Sequence, residues 1–182
     1  MKQNQQNTNQ NSWIEWGKPL LIAIVIILIV KTFFFAPFKV EGASMQPTLH
    51  NKDRLIVNKL AMQISSLQRG DVVVIKKENE PKYYVKRIIG LQNDNLKVVD
   101  GELFINNQKQ PESYLNQDLL NEYKEYLNVR EVKVPHGKVF VMRDNRLNST
   151  DSRNGLGYID ISEIVGKSQL VYYPLDRIKI VK

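Results

Sequence analysis

An unbroken apolar run, Leu20 to Val30, constrains this chain more than any other feature. Lys31 and Thr32 interrupt it before Phe33-Phe34-Phe35-Ala36-Pro37-Phe38. From Pro19 to Phe38 is 20 residues, and a helix rising about 1.5 Å per residue would cover roughly 30 Å, one hydrocarbon core. Lys31 sits late enough to snorkel toward the far interface, and Trp13, Trp16 and the Phe cluster suit two interfacial belts. The other reading is a buried core helix, which would be apolar all round and long. A cleaved leader fits less well, because Val40-Glu41-Gly42 is a poor small-x-small site. The expectation is an uncleaved transmembrane helix over residues 19–38. Flanking charge does not orient it: Lys2 and Lys18 precede it, while Lys39, Lys52 and Arg54 follow.

The segments on either side differ sharply. Residues 1–12 hold eight Gln or Asn and no aromatic or branched aliphatic side chain. Such a stretch cannot offset its ordering entropy by burial, so 1–18 is expected to be a disordered polar tail. Residues 39–182 carry 23 basic and 18 acidic side chains. Within them short apolar stretches recur at 54–57, 72–75, 83–89, 96–99, 103–105, 138–142, 164–173 and 178–181. Their β-branched and aromatic content, separated by turns such as Asp100-Gly101 and Pro135-His136-Gly137, predicts strands. Tyr114–Leu127 is the one stretch with helical character. The fold class is therefore mostly β, a β-rich domain over 39–182 with a small inserted lobe at about 91–137.

The whole chain has 182 residues, a formal charge of +7 and no cysteine. Absent cysteine excludes thiol catalysis, disulfides and Cys-ligated metal sites. Only two histidines occur, His50 and His136, so a metal site is not expected. The basic balance fits nucleic acid or an anionic membrane, and the apolar segment favours the membrane.

Three stretches could carry chemistry. Gly42-Ala43-Ser44-Met45-Gln46-Pro47-Thr48-Leu49 reads as a turn or cap, or as a small hydroxyl framed by Phe38, Val40, Met45 and Leu49 close to a bilayer. Ser44 lacks a G-x-S-x-G context, and a His50 base would need spatial support. In Tyr83-Tyr84-Val85-Lys86-Arg87-Ile88-Ile89-Gly90, strand alternation puts Lys86 with Tyr84 and Ile88. Arg87 falls with Tyr83, Val85 and Ile89, so at least one cation has apolar neighbours. Lys86 is then either a paired surface lysine or a buried one; burial would have to lower its pKa from about 10.4 to near 7 for half to be neutral there. The polar stretch Met142–Gly157 is either a surface loop or a hydrogen-bonded shell around a catalytic lysine.

Taken in order, Ser44-Met45-Gln46-Pro47-Thr48, Arg69-Gly70-Asp71-Val72-Val73, Tyr84–Gly90 and Asp144-Asn145-Arg146 through Arg153 resemble the bacterial type I signal peptidases, closest in layout to the short Gram-positive kind. The resemblance covers about residues 13–175. It implies a membrane-anchored Ser-Lys serine endopeptidase that removes signal peptides from secreted preproteins, with no cofactor and no metal. Ser44 would be the nucleophile and Lys86 the general base. Ser149 would orient that lysine, with Asp144, Asp151 and Arg153 in a supporting network. Phe38, Val40, Met45, Leu49 and Val85 would line pockets for small residues at −1 and −3. Also implied are a single-pass chain in the cell membrane, N-terminus cytoplasmic and catalytic domain extracytoplasmic. The partners are then the lipid bilayer and the secretion translocon, not nucleic acid. Two departures stand out. Arg143 replaces the Gly usual before Asp-Asn-Arg, and if that Gly serves a positive φ, Arg would strain the loop. An inactive membrane-anchored binding protein is the alternative that Arg143 favours. Leu91-Gln92-Asn93-Asp94 also stands where Pro-Gly-Asp is common, although Asn93 suits the same turn.

Overall fold

Pro37 decides where the N-terminal helix ends. The computed structural model describes residues 12–61, 67–78, 80–122, 124, 128–146 and 150–181. Helix α1 runs over Ser12–Phe34, and strand β1 begins at once, over Phe35–Lys39. The helix expected over 19–38 thus stops four residues early. Pro37 disfavours helical geometry at Ala36 and has no N–H for the helical ladder. β1 is the edge strand of its sheet, pairing with β2 (Arg54–Asn58) with Pro37 opposite Ile56, and an edge position tolerates the missing donor. The helix also starts earlier than expected. Residues 12–18, read as tail, form its first two turns, while residues 1–11 lie outside the described residues.

α1 is 23 residues long. Its described side chains from Trp16 to Leu28 are all exposed, and Phe34 at its end is half-buried. Among the described residues, no helix is long and apolar enough to cross a membrane.

The larger sheet has the order β1-β2-β11-β3-β4-β9-β10, with β12 (Lys179–Ile180) paired to β11 (Ile164–Tyr173). Its other members are β3 (Val72–Lys76), β4 (Tyr83–Gly90), β9 (Lys138–Met142) and β10 (Ile159–Asp160). A second sheet, order β7-β6-β5-β8, comprises β5 (Asn95–Val99), β6 (Glu102–Ile105), β7 (Gln108–Lys109) and β8 (Val129–Lys133). The chain leaves the first sheet after β4 and returns at β9, β4's own neighbour. Asn93 makes the exit turn at φ 71°, and Asp94 fixes it. Its carboxylate accepts from the Leu91 amide at 2.8 Å, from Asn106 Nδ2 at 3.0 Å and from Arg69 at 2.7 and 3.0 Å.

The expected mostly β fold is present. β1, β7, β8 and β10 were not expected. β8 carries Arg130, Glu131 and Lys133 and buries little, so alternation alone does not reveal it. Helix α2 runs over Gln117–Glu122, inside the 114–127 stretch read from sequence, of which 123 and 125–127 lie outside the described residues. Three apolar clusters fill the interior. One of them joins Val40, Met45, Leu49, Leu55, Val57, Val72 and Val74, and it positions Ser44.

Candidate active site

Ser44 sits on a short turn with both ends fixed. Downstream, Met45 and Leu49 are fully buried in the cluster beneath β2 and β3. The Leu49 amide donates to the Met45 carbonyl at 2.7 Å, closing one turn of chain. Upstream, Gly42 takes φ +87°, a conformation that disfavours a Cβ, and donates to Asn51 Oδ1 at 3.1 Å. Asn145 clasps the turn from outside. Its backbone N–H donates to the Ser44 carbonyl at 3.1 Å and its Nδ2 to the Ala43 carbonyl at 3.3 Å. Ser44 is left half-buried, facing a cleft.

Lys86 lies on β4 opposite Val73 of β3 and is 3% exposed. Its Nζ donates to the Val85 carbonyl at 3.1 Å and stands 5.6 Å from the centre of the Tyr84 ring. Burial lowers its pKa, the Arg143 and Lys82 charges add to that, and Asp151 opposes; the result is about 8. About a tenth of such a lysine is neutral at pH 7, against less than a thousandth of an unperturbed one.

The neighbouring Arg87 points to the opposite side of the strand and is buried too. It forms a two-pronged ion pair with Asp144, so Asp144 supports β4 rather than Lys86 directly. Asp151 is fully buried and is held by Arg153 through contacts of 3.0 and 2.8 Å. Burial works against Asp151's ionisation, yet Arg153's hydrogen bond and charge, with two backbone N–H groups, hold its carboxyl below the usual range. Asp151 also accepts from the Arg143 amide at 3.3 Å. Ser149, expected to orient Lys86, lies outside the described residues.

Ser44 and Lys86 line one cleft of about 680 Å³ together with Phe38, Val40, Val85 and Arg143. Met45 and Leu49, expected to line the pockets, do not. Both are wholly enclosed and pack behind the wall, because the turn that presents Ser44 drives its apolar neighbours into the core. Tyr83 and Tyr84 also line the cleft, and the Tyr83 ring packs edge-on against Phe38 at 5.1 Å. Their place two and three residues before Lys86 on one strand was the available signal. Asn145 falls within the Asp144-Asn145-Arg146 motif, but nothing local in the sequence links it to Ser44.

The family model described as signal peptidase, peptidase S26, matches residues 13–173. The chain belongs to this family, the type I signal peptidases. Signal peptidase I P of Bacillus subtilis subsp. natto is 42% identical over 98% of this chain and 99% of its own length. Signal peptidase I T of Bacillus subtilis (strain 168) is 44% identical over 94% and 91%. A crystal structure of a signal peptidase I from Enterococcus faecalis V583 matches 57% of this chain and 97% of its own, at 28% identity and a TM-score of 0.49.

The protein is thus a signal peptidase I enzyme, and its substrates are preproteins that carry signal peptides. Against that background Arg143 needs reassessment. The described non-glycine residues with positive φ are Lys52, Asn93, Asp100, Asn106 and Asn107, and Arg143 is not among them. The backbone strain expected at this signal peptidase's Arg143 is absent, because the position does not use the conformation that only glycine adopts freely.

Proposed function

We propose that this enzyme is a membrane-anchored Ser-Lys endopeptidase, with Ser44 as nucleophile and Lys86 as general base. The observation that carries the reading is that Ser44 and a buried Lys86 with a pKa of about 8 line one cleft. Neutral Lys86 takes the Ser44 hydroxyl proton as Oγ attacks the scissile carbonyl. The resulting ammonium then protonates the leaving amine, which departs from an acyl-enzyme. Lys86, neutral again, accepts a proton from water as the water attacks the ester, and returns it to Ser44 Oγ as the acyl–Oγ bond breaks and the carboxylate product leaves. The Ser44 backbone N–H is the natural donor to the oxyanion, a role typically worth about 3–4 kcal/mol.

An extended substrate fits the cleft. β9 pairs with β4 at Arg87, Ile88 and Gly90, so among the described residues Tyr83–Lys86 is paired with β3 alone. That half-strand offers a free edge to a substrate main chain, while alternate side chains meet Phe38, Val40 and Val85. This periodicity suits small residues at −1 and −3. Asp144, Asp151, Arg153 and Ser149 would hold the base and its strand in place.

Anchoring rests on α1. Twenty-three residues at about 1.5 Å each would reach roughly 35 Å, Leu20, Leu21, Ile22 and Ile24 to Leu28 expose apolar side chains, and the sequence stays apolar through Val30. The N-terminus would be cytoplasmic and residues 39–182 extracytoplasmic. Because the chain has no cysteine, single cysteines report topology cleanly. An impermeant maleimide should label Lys109→Cys in intact cells and Lys2→Cys only after permeabilisation; the reverse pattern overturns the orientation.

Cleavage of a purified preprotein by the parent, Ser44→Ala and Lys86→Ala proteins tests the dyad. Both variants should lose roughly 10²–10⁴-fold or more in kcat/KM. Parental rates in either would remove that residue from the mechanism.

A further inference from the structure

Arg143 is a cation in the catalytic cleft without a carboxylate of its own. Arg87 has Asp144, Arg146 has Glu112, and Arg153 has Asp151. Arg143, in contrast, forms no ion pair among the described residues: it gives its backbone N–H to Asp151, whose carboxylate attracts its charge only from a greater distance. Its side-chain Nε is enclosed and has no hydrogen-bond partner among the described residues. Arginine does not escape such a position by losing its proton, so the charge persists.

The surroundings of Lys86 give that charge a consequence. Lys86 and Arg143 line the same cleft as Ser44. Asp151 is the carboxylate that favours the Lys86 ammonium, but it is engaged by two nitrogens of Arg153. Lys82, over the Tyr84 ring, adds a weaker repulsion from the end of β4. The Tyr84 ring itself faces the Lys86 ammonium and favours the charged form. Lys39 and Glu41, also at the cleft, offset each other at 3.9 Å. Arg87 and Asp144 pair on the far side of β4. Of the cations facing Lys86, Arg143 acts most strongly.

We propose that Arg143 is a positioning residue for the base: its guanidinium, in the same cleft as Lys86, repels the like charge of that lysine and, on top of burial, shifts the pH at which the enzyme works. This inference rests on the reading of Lys86 as general base. It makes Arg143 an acquired electrostatic part of the site rather than a lesion in it.

The test is the pH profile of kcat/KM for preprotein cleavage by the full-length parent, Arg143→Gln and Arg143→Lys in detergent. Arg143→Gln should move the acidic limb to higher pH by roughly 0.5–1 unit. It should lose about 3- to 10-fold at pH 7 and little at pH 10. Arg143→Lys should keep the parental midpoint. A uniform loss at all pH values, or an unmoved midpoint in Arg143→Gln, overturns the proposal. A second readout needs no activity: the pH dependence of Lys86 reductive methylation in the Ser44→Ala background, read by peptide mass spectrometry. Adding Arg143→Gln there should raise the midpoint equally, and no change overturns the proposal. Full cleavage by Lys86→Ala would instead overturn the base assignment, whatever the methylation midpoint does.

Discussion

Arg87 and Asp144 form a fork-to-fork ion pair in the protein interior, Nε to Oδ1 at 2.8 Å and Nη2 to Oδ2 at 2.7 Å. Their side chains are 1% and 0% exposed. The same guanidinium donates to the Gly70 carbonyl at 2.6 Å and to Thr48 Oγ1 at 3.1 Å, and lies 4.0 Å from the centre of the Tyr114 ring. Four segments far apart in sequence thus converge on this one side chain of β4: the Ser44 turn, the Arg69-Gly70-Asp71 turn, the Tyr114 segment and the Asp144 loop. Two charges removed from water are retained because every partner is present.

Arg87→Lys keeps the charge but loses the planar fork, and Arg87→Ala leaves the Asp144 carboxylate buried without compensation. The alanine variant should lose about 3–5 kcal/mol of stability, with the lysine variant between it and the parent. Thermal unfolding in detergent measures both. Equal Tm values in all three would refute the role.

Catalysis should follow the ionisation of Lys86. With Lys86 as the proposed base, the neutral amine would be the reactive form, so kcat/KM should rise with pH, reach half its plateau at about 8 and level off above. A rate falling across that range would contradict the assignment. Lys86→Arg, always charged, should be inactive throughout.

Asp151 makes a stability prediction of opposite sign. Its carboxyl is held below the usual range, so the stability it adds is present above the unfolded value near 3.9 and is lost as pH falls through the lower folded value. Asp151→Asn should cost up to about 3 kcal/mol at pH 7, and the gap in Tm from the parent should narrow as the pH drops below 4. A gap independent of pH would mean that packing, not charge, is responsible.

Residues in the cleft wall and residues behind it should respond differently to truncation. Phe38→Ala enlarges the cleft and should relax the requirement for small residues in a panel of signal-peptide variants. Leu49→Ala empties a core position, so it should lower stability by about 2–5 kcal/mol and leave the ranking of those substrates unchanged. A changed ranking in Leu49→Ala alone would reverse these roles.

At Gly166 the backbones of β11 and β2 approach so closely that a Cβ would lie 2.6 Å from the Asn58 carbonyl oxygen. Gly166→Ala should destabilise the protein by roughly 1–3 kcal/mol, measurable as a lower Tm.

Local pattern was sufficient for much of this protein. The alternation at 54–57, 72–75, 83–89 and 138–142 marked strands found there, because a half-buried sheet imposes its period on each strand separately. It failed at β8, whose charged edge buries too little, and at β1, where apolar residues continuous with α1 looked like more helix until Pro37 intervened. Within the site, the alternation through Tyr84-Val85-Lys86-Arg87 already required a cation among apolar neighbours. Both cations are buried, and which one shares a cleft with the serine does not follow from the period.

Sequence by itself determined the chemical inventory: no thiol, scarce histidine, a lysine on an apolar strand and a serine in a small-residue turn. Those are properties of residue type and short spacing. The tertiary structure decided who meets whom, because each decisive contact spans many residues of chain. Asn145 on the Ser44 turn, Asp144 on Arg87 and Arg143 in the Lys86 cleft all depend on β9 pairing beside β4. Tertiary packing also separated Phe38, Val40 and Val85 at the cleft from Met45 and Leu49 in the core. Burial direction depends on what lies across the sheet, and no local pattern carries that information.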